Sequence, residues 1–550
     1  MTGLRGADIL ARALARAGAR RIFSLSGNHI MPVYDAALEA RLAITHVRHE
    51  GAAVHMADAW GRLTGVPGIA LLTGGPGHAN GVGALYTALA AESPMVMLSG
   101  HAPRSELGRG SFQEMAQADL AAPVTKASWT AQRAESLGED IARAMRIARS
   151  GRPGPVHVSL PFDLLEAKVT EAAAVPDAAF QPVPQPLPDA AADAVLAEIA
   201  RARKPLIVVG PVMASARAPR ERLAAATGVP VICMESPRGV NDPCLGAFAD
   251  VLKAADLIVL LGKQPDFTLR FGAAPAVDAA CRFAVIDPDP EALARARKTL
   301  GADRIAAAAV ADPAASTDAL AARTGSRAGE AAWFAEVDAA VRYRPTEWAQ
   351  VASSADGAVH PVEVGRAAQR LVDRSPASVL VVDGGEFGQW AQACVAAPTR
   401  IINGVAGSIG SGLPFALAAR IARPDAPVVA LMGDGTFGFH MAEFDTAARE
   451  RLPFVAIVGN DACWNAEHQI QLRAYGRERA HGCELLPARY DQAVAALGGH
   501  GELVTRAADL PAALDRAAAS GKAACVNVMI ERLPAPVVSR VQAARAGAVH

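Results

Sequence analysis

Short apolar runs alternate with helix-length amphipathic segments along the whole chain, a pattern that predicts parallel sheets covered by helices on both faces. In the first unit the apolar runs predict strands at 22–25, 42–47, 68–73, 94–99 and 155–160. The segments between them predict helices at 31–40, 51–63, 78–90 and 135–149. Residues 1–21 are rich in Ala and Arg, as in an organelle transit peptide. We favour an amphipathic helix there, because one face carries Ile9, Leu10, Leu14 and Ala17.

Two further units repeat this alternation. Strands are predicted at 206–209, 229–233, 257–261 and 283–286 in the second unit, and at 378–382, 401–404, 427–432, 454–458 and 524–530 in the third. The stretches 172–190 and 343–360 lack periodicity and are interpreted as linkers. We therefore predict an α/β protein of three domains, each a mostly parallel sheet covered by helices. Their predicted bounds are 1–172, 190–342 and 360–535, and a tail of small residues at 536–550 would be disordered or act as a lid.

Composition narrows the function classes. The 550 residues are 51% hydrophobic and 20% charged with a formal net charge of −1, so nucleic-acid binding has no electrostatic support. The seven cysteines are scattered and form no C-x-x-C pair, which argues against a disulfide framework and favours a reducing compartment such as the cytoplasm. No apolar run reaches the roughly 18–20 residues of a membrane span, so no membrane association is expected.

Candidate metal chemistry follows two strands of the third unit. Gly433-Asp434-Gly435 comes after the run 428–432, and Asn460-Asp461-Ala-Cys463 comes after the run 454–458, with a predicted helix at 440–450 between them. Parallel neighbouring strands would bring both aspartates to one carboxyl edge of a sheet. Two carboxylates and a backbone carbonyl suit Mg2+ or Ca2+. A metal with so few protein ligands usually binds a diphosphate as well. A strand–helix–strand unit with a chance Gly-Asp-Gly is the alternative.

The first unit holds a second set of candidate residues. Glu50 stands where a strand turns into a helix, a place where an acid also stabilises the helix dipole. Thr73-Gly-Gly-Pro76-Gly-His-Ala-Asn80 is a glycine-rich turn that enters a helix and would allow a flat ring to approach the backbone. Gly407-Ser-Ile-Gly-Ser-Gly412 in the third unit opens a helix whose free N–H groups could receive phosphate, or could serve close packing alone.

These motifs together resemble the acetolactate synthase-like thiamine diphosphate enzymes. The motifs that carry the resemblance occur in the family's order over nearly all 550 residues, namely Arg48-His-Glu50, Gly75-Pro-Gly-His-Ala-Asn80, Phe112-Gln113-Glu114, Gly407-Ser-Ile-Gly410 and Gly433-Asp-Gly435. The resemblance implies pyrimidine-binding, central and diphosphate-binding domains. It also implies a homodimer or homotetramer, with the cofactor between the first domain of one subunit and the third domain of another.

The resemblance assigns roles residue by residue. Asp434, Asp461 and the Cys463 carbonyl would hold Mg2+, although the family usually has Asn where Asp461 stands, and the additional negative charge bears on metal affinity. Glu50 would activate the cofactor by hydrogen-bonding its pyrimidine ring, which calls for burial that raises the pKa of its carboxyl. Ile409 would bend the cofactor into its V shape. The remaining implied cofactor-binding residues are Thr73, Pro76, Asn80, Gly385, Glu386, Gly407, Gly433, Gly435, Thr436 and Trp464.

Features of three regions bear on the substrate and on a further cofactor. His29 and Gln113 resemble a pair in benzaldehyde lyase, where a neutral imidazole would relay a hydroxyl proton, and Trp464 also matches that enzyme. A loop histidine bound to backbone is the alternative for His29. The central stretches 235–240 and 262–272 resemble 2-hydroxyacyl-CoA lyases and oxalyl-CoA decarboxylases, so Lys263 or Arg270 would meet an anionic nucleotide or remain solvated or paired. The resemblance leaves FAD or ADP open for the central domain.

The sequence thus predicts a thiamine diphosphate- and Mg2+-dependent carbon–carbon lyase or carboligase. Its substrates would be small carbonyl compounds, 2-hydroxy ketones (acyloins) or 2-keto acids, which react through a C2-carbanion and enamine. Acetolactate synthase, 2-keto acid decarboxylase and 2-hydroxyacyl-CoA lyase are the alternatives within the enzyme class. A catalytically silent, cofactor-binding scaffold subunit is the alternative from another class, and Asp461 is its only support.

Overall fold

The computed structural model describes residues 3–323, 331–354 and 357–540, and it contains three α/β domains. In the first domain the strands are β1 (Leu4–Arg5), β2 (Arg21–Ser24), β3 (Ala43–His46), β4 (Gly68–Leu72), β5 (Met95–His101), β6 (Ala127–Thr130), β7 (Pro155–Pro161) and β8 (Lys168–Val169). Its helices are α1 (Gly6–Arg16), α2 (Met31–Glu39), α3 (Glu50–Thr64), α4 (Pro76–Ala90), α5 (Gln117–Ala121), α6 (Leu137–Arg149) and α7 (Phe162–Glu166).

The central domain contains the strands β9 (Pro205–Val209), β10 (Val231–Cys233), β11 (Leu257–Leu261), β12 (Arg282–Asp287) and β13 (Ile305–Val310). Its helices are α8 (Asp189–Arg201), α9 (Arg217–Thr227), α10 (Phe248–Leu252), α11 (Pro290–Leu300), α12 (Pro313–Arg323) and α13 (Ala331–Arg342). All five strands are parallel in the order β10-β9-β11-β12-β13. The strand order reverses between β9 and β11, which is where open α/β sheets form a crevice.

The third domain contains the strands β14 (Val379–Asp383), β15 (Thr399–Ile402), β16 (Val428–Gly433), β17 (Val455–Asn460), β18 (His500–Val504) and β19 (Ala524–Met529). Its helices are α14 (Pro361–Val372), α15 (Gly385–Cys394), α16 (Gly412–Ala422), α17 (Asp434–Phe437), α18 (Glu443–Glu450), α19 (Asn465–Tyr475), α20 (Tyr490–Ala496) and α21 (Leu510–Ala519). The fold class predicted from the sequence is confirmed.

The first and third domains have the same strand order. The first sheet runs β3-β2-β4-β5-β7-β6 and the third runs β15-β14-β16-β17-β19-β18, with every pair within each sheet parallel. Strands buried on both faces need continuous apolar sequence, and β4, β14 and the first five residues of β16 are indeed fully buried. Five strands escaped prediction, namely β6, β13 and β18 and the two-residue strands β1 and β8.

Within one chain the first and third domains share an apolar core. Helix α3 packs along α16, and Phe23, Met56, Phe415 and Phe437 belong to the same buried cluster. The guanidinium of Arg62 lies 4.9 Å from the ring centroid of Phe415 and donates a hydrogen bond to the Ile402 carbonyl. This packing fixes the start of α3, and therefore Glu50, relative to the third domain of the same chain.

The predicted first helix is present as α1, with Ile9, Leu10 and Leu14 buried. The interpreted linker 172–190 contains a short 3-10 helix, Asp177–Phe180, before α8 begins at Asp189, and Phe180 packs into the first domain's core. The described part of 343–360 contains the 3-10 helix Thr346–Ala349 and an isolated parallel bridge between Val359 and Ile530. Of the tail at 536–550, residues 541–550 lie outside the described part of the chain. The exact domain bounds stay a prediction.

Candidate active site

The strand order of the third sheet brings Asp434 and Asp461 to one carboxyl edge. Asp434 follows β16 as the first residue of α17, and Asp461 follows the neighbouring strand β17, whose Gly459 pairs with Gly433. Both aspartates line a cavity of about 300 Å³. Glycines at both strand ends leave room beside the backbone, and a Cβ added at Gly435 would lie only 2.7 Å from the Trp464 ring.

The two carboxylates repel each other in the metal-free chain. Burial raises the pKa of Asp434 to about 6, and its Oδ2 atom is buried without a hydrogen-bond partner among the described residues. Burial, and then the neighbouring charge of Asp434, raises the pKa of Asp461 to about 7. An orphaned buried carboxylate oxygen beside a second carboxylate fits a divalent cation with hard oxygen ligands, as Mg2+ is.

The loop after β17 is held in an uncommon conformation. Ala462 has a φ of +52°, which non-glycine residues rarely adopt. The guanidinium of Arg532 donates hydrogen bonds to the carbonyls of Asp461 at 2.9 Å and of Ala462 at 3.2 Å. The loop thereby places Cys463 on the cavity wall, and its metal-ligating role stays a prediction.

The start of α15 forms another wall of the cavity. Gly384 has a φ of +72°, and a Cβ there would collide with the Thr436 hydroxyl. Gly385, Glu386, Thr436 and Ile409 all line the same space as Asp434. Glu386 accepts a hydrogen bond from Gln389 at 2.9 Å, and burial raises the pKa of its carboxyl. The structure thus brings these predicted cofactor-binding residues together.

The glycine-rich stretch 407–412 differs from expectation in one respect. The N–H groups of Gly410 and Gly412 donate hydrogen bonds to the Asp383 Oδ2 atom at 2.9 and 2.7 Å, so these two donors are not free to receive phosphate. Asp383 is fully buried, and burial raises its pKa to about 7. His440 donates from Nδ1 to the Gly410 carbonyl at 2.6 Å. The turn that carries Gly407 and Ile409 is therefore held by protein groups.

The first domain assembles its own polar group. Glu50 opens α3, and its Oε2 accepts a hydrogen bond from the Asn80 amide at 3.1 Å. Pro76 is the first residue of α4, where its missing N–H costs nothing, and Gly77 lets that helix approach Thr73, because a Cβ there would lie 2.7 Å from the Thr73 methyl group. Thr73 directly follows β4, at the start of the turn that leads to α4, and is buried. In the single chain the Glu50 side chain is half-buried.

The two residues with a predicted substrate role flank this group. His29 is buried, its Nδ1 lies 3.4 Å from the Thr73 hydroxyl, and burial lowers the pKa of its imidazole, with the His101 charge adding to the shift. Gln113 has a φ of +59° and packs against Gly75. A Cβ added at Gly75 would lie 2.7 Å from the carbonyl oxygen of Gln113. Strained backbone of this kind often marks a functional site. Their roles stay predictions.

The two groups do not meet in one chain. The 300 Å³ cavity is lined by the third domain and by Ser236, Pro237 and Arg238 of the central domain, and Glu50, Thr73 and Asn80 are not among its lining residues. His29 lines a different, open cavity next to Phe112.

Sequence reasoning missed three residues that hold the site. Gln117 is 1% exposed, accepts the Gly75 N–H at 2.8 Å and donates to the Gly100 carbonyl and the Ser159 hydroxyl. Glu443 accepts the N–H groups of Arg48 and His49, directly before Glu50. Asp383, described above, is the third. The only sequence signal for these three residues is a polar residue type among apolar neighbours, because their hydrogen-bond partners are remote in sequence.

Charged groups at the crevice of the central sheet pair within the protein. Lys263 is 3% exposed and bonds both carboxylate oxygens of Asp266 at 2.8 and 2.9 Å. Arg152 of the first domain pairs with Asp287 at the end of β12 and with Glu92. Arg270 has a φ of +50° and is exposed. The charges of Lys263 and Arg152 are thus paired with carboxylates of the protein, although the Nε of Arg152 has no hydrogen-bond partner among the described residues.

Two matching outer sheets, a carboxylate-lined cleft and a separate helix-opening glutamate define a cofactor-dependent α/β enzyme. Three family models match along the chain: the N-terminal TPP binding domain of thiamine pyrophosphate enzymes at residues 4–120, their central domain at 192–320 and their C-terminal TPP binding domain at 383–528. The chain belongs to the thiamine pyrophosphate enzyme family. It is a thiamine diphosphate-dependent enzyme of the lyase or transferase type, similar to acetolactate synthases.

Two relatives with assigned functions align with most of this chain. A probable acetolactate synthase of Mycobacterium bovis is 34% identical over 536 residues, which cover 95% of each protein. A 2-hydroxyacyl-CoA lyase 2 of Homo sapiens is 31% identical over 549 residues, covering 91% of this chain and 85% of that protein. Among the described residues, none of the helices is both long enough and apolar enough to cross a membrane.

Proposed function

We propose that this enzyme is a thiamine diphosphate- and Mg2+-dependent carbon–carbon lyase or carboligase that acts on 2-hydroxy ketones or 2-keto acids. The supporting observation is the orphaned Asp434 oxygen beside Asp461 in a glycine-lined cavity. In the proposal Asp434, Asp461 and the Cys463 carbonyl hold the metal. Gly433, Gly435, Thr436, Gly385 and Glu386 surround the diphosphate, and Ile409 and Trp464 support the rings.

Thiamine diphosphate, when bound, supplies a nucleophilic carbon and an electron sink. Glu50, which accepts a hydrogen bond from Asn80, would hold the pyrimidine side of the cofactor and would supply a carboxyl that can give or take a proton there. His29 holds a neutral imidazole near pH 7, since burial lowers its pKa, and can take the proton of a substrate hydroxyl. Gln113 orients that hydroxyl, while Thr73, Pro76 and Gly75 shape the turn against the ring.

The proposed assembly is a homodimer or homotetramer in the cytoplasm. Its support is the separation of the Glu50 group from the third-domain cavity within one chain. A second copy that places its first domain over this cavity would complete the site. Sedimentation of the holoenzyme at several concentrations measures this, and an active monomer would contradict it.

The central test is a substrate screen. The holoenzyme is supplied with pyruvate, benzoylformate, benzoin, acetoin and a 2-hydroxyacyl-CoA, and carbon dioxide and aldehyde release are read separately. Glu50→Gln is expected to abolish turnover and to leave cofactor binding largely intact. Glu39→Gln, at the exposed end of α2, is the matched control and should retain activity. Full turnover by Glu50→Gln, or none by the wild type, would contradict the proposal.

One observation favours an anionic substrate, either a 2-keto acid or a 2-hydroxyacyl-CoA thioester. Arg238 lines the cavity, is exposed, and forms no ion pair with the residues that the structure describes. Its charge opposes the rise in the pKa of Glu386 that burial causes. Arg238→Ala should therefore raise the KM of charged substrates and spare neutral acyloins. An equal effect on both classes would argue against this second candidate.

A further inference from the structure

Three donor side chains of different chemistry converge behind the loop that follows β17. Cys463 pairs its backbone with Glu484 in an isolated antiparallel bridge, so their side chains lie on the same side. His468 sits in the first turn of α19, where its N–H bonds the Trp464 carbonyl at 3.0 Å. The Cys463 sulfur, a His468 ring nitrogen and a Glu484 carboxylate oxygen all lie within 4.8 Å of one another.

The geometry points to a second cation site, at which Cys463, His468 and Glu484 bind Zn2+ or another thiophilic divalent ion. Sulfur, imidazole nitrogen and a single carboxylate oxygen suit zinc, whereas Mg2+ prefers oxygen alone. Neighbouring donor atoms in a tetrahedral zinc site lie about 3.5 Å apart, so the three atoms need to close by about 1 Å. Glu484 is exposed and can make this adjustment, and water can take the fourth position.

The proposed zinc site shares one residue with the proposed magnesium site. In the proposed function the carbonyl of Cys463 holds Mg2+, whereas its sulfur is one of the three donor atoms of the proposed zinc site. Arg532 connects the two sites more directly. It bonds both carboxylate oxygens of Glu484 at 2.7 and 2.9 Å and also donates to the Asp461 and Ala462 carbonyls.

Occupancy of the zinc site therefore has a consequence for the cleft. When Glu484 turns to a bound cation, it weakens its ion pair with Arg532, which loses the partner that orients it toward the loop of Asp461. We expect bound zinc to raise the Mg2+ concentration needed for half-maximal activity. This inhibition rests on the proposed function, whereas binding of the cation does not.

The binding test uses the full chain with thiamine diphosphate and excess Mg2+, titrated with Co2+ as a spectroscopic probe. The expected result is one Co2+ per chain, with a sulfur-to-cobalt charge-transfer band that Zn2+ abolishes. Cys463→Ser and His468→Ala should remove the band or weaken binding by about tenfold or more. Cys483→Ser is the matched control, since this buried neighbour is outside the donor set, and it should keep the band.

The outcomes separate the site from the proposed function. No charge-transfer band in the wild type, or an unchanged band in Cys463→Ser, would overturn the zinc site. If the band appears but Zn2+ leaves the Mg2+ requirement unchanged, the coupling through Arg532 is wrong. If the enzyme lacks turnover altogether but still shows the band, the proposed function fails and the zinc site stands. His468→Ala should keep its turnover while losing zinc inhibition.

Discussion

The buried carboxylate of Glu443 accepts a hydrogen bond from the backbone N–H of His49 at 3.2 Å, although 394 residues separate the two in sequence. It also accepts the Arg48 N–H at 2.9 Å and the Thr446 hydroxyl at 2.6 Å. A residue of the third domain thus fixes the turn that leads into Glu50. In the proposed dimer one chain supplies Glu50 and the proposed metal-binding aspartates to different cofactor sites, so Glu443 would connect the two sites.

Glu443→Ala should destabilise the fold and impair catalysis. It leaves two backbone N–H groups and a hydroxyl without their acceptor in a buried place, which should lower the free energy of unfolding by about 2–4 kcal/mol. Glu450→Ala on the same helix is the control, because its 3.4 Å ion pair with Arg21 also joins the two domains but is partly exposed. That control should cost under about 1 kcal/mol. Chemical denaturation measures both, and equal losses would contradict the assignment.

Gln117→Leu should disturb the turn over which the cofactor ring is proposed to lie. The substitution keeps the volume but removes the acceptor of the Gly75 N–H and the donor to the Gly100 carbonyl. We expect a loss of about 1–3 kcal/mol in stability and a lower kcat, since Gln113 packs on Gly75. Gln132→Leu, whose amide bonds only a nearby exposed carbonyl, is the control. Unchanged turnover in Gln117→Leu would argue against this positioning role.

Asp461→Asn should make Mg2+ binding less dependent on pH. In the metal-free protein the pKa of Asp434 is about 6 and that of Asp461 about 7, so protons compete with the metal below these values. Apparent Mg2+ affinity should therefore rise between pH 5 and pH 8 in the wild type. The variant removes one competing proton and one negative charge, so its slope should be shallower. Calorimetric titration at several pH values measures the slopes, and identical slopes would refute the prediction.

Asp383→Asn should stabilise the metal-free protein at alkaline pH. The folded-state pKa of Asp383, about 7, lies above its ordinary value of 3.8, so its contribution to stability is fully present below pH 3.8 and is lost as the pH rises through 7. That loss is on the order of a few kcal/mol. An amide oxygen can still accept the Gly410 and Gly412 N–H groups without this titration.

The measurement is the thermal midpoint of Asp383→Asn relative to wild type from pH 4 to pH 9. The difference should shift in favour of the variant between pH 4 and about pH 7 and should stay nearly constant above that. Asp425→Asn, at an exposed position in the same domain, is the matched control and should track the wild type throughout. A pH-independent difference for Asp383→Asn would show that the buried carboxyl does not titrate in this range.

Much of the fold could be predicted because fully buried parallel strands are continuous apolar runs. Each of the strands that the sequence predicted lies within two residues of its predicted bounds. The strands that were missed have weaker signals for identifiable reasons. Strand β13 is Ile-Ala-Ala-Ala-Ala-Val, and alanine does not favour a strand, while β6 and β18 are edge strands that are only partly buried.

The candidate site also contains residues that could be predicted from the sequence and residues that could not. Residues at strand ends and helix starts, such as Asp434, Asp461 and Glu50, could be predicted because those positions follow from local pattern. Gln117 and Glu443 could not, because each acts through a partner that only the folded chain brings near. The diversion of the Gly410 and Gly412 N–H groups to Asp383 depends equally on tertiary structure.

The common strand order of the outer sheets gives each strand of one sheet a counterpart in the other. Thr73 follows the third strand of the first sheet, and Asp434 follows the third strand of the last. The third domain can thus keep its proposed cofactor-binding residues, while the loops of the first domain change as substrates change. A new substrate specificity can therefore be engineered on the loops of the first sheet without altering the proposed cofactor-binding residues of the third domain.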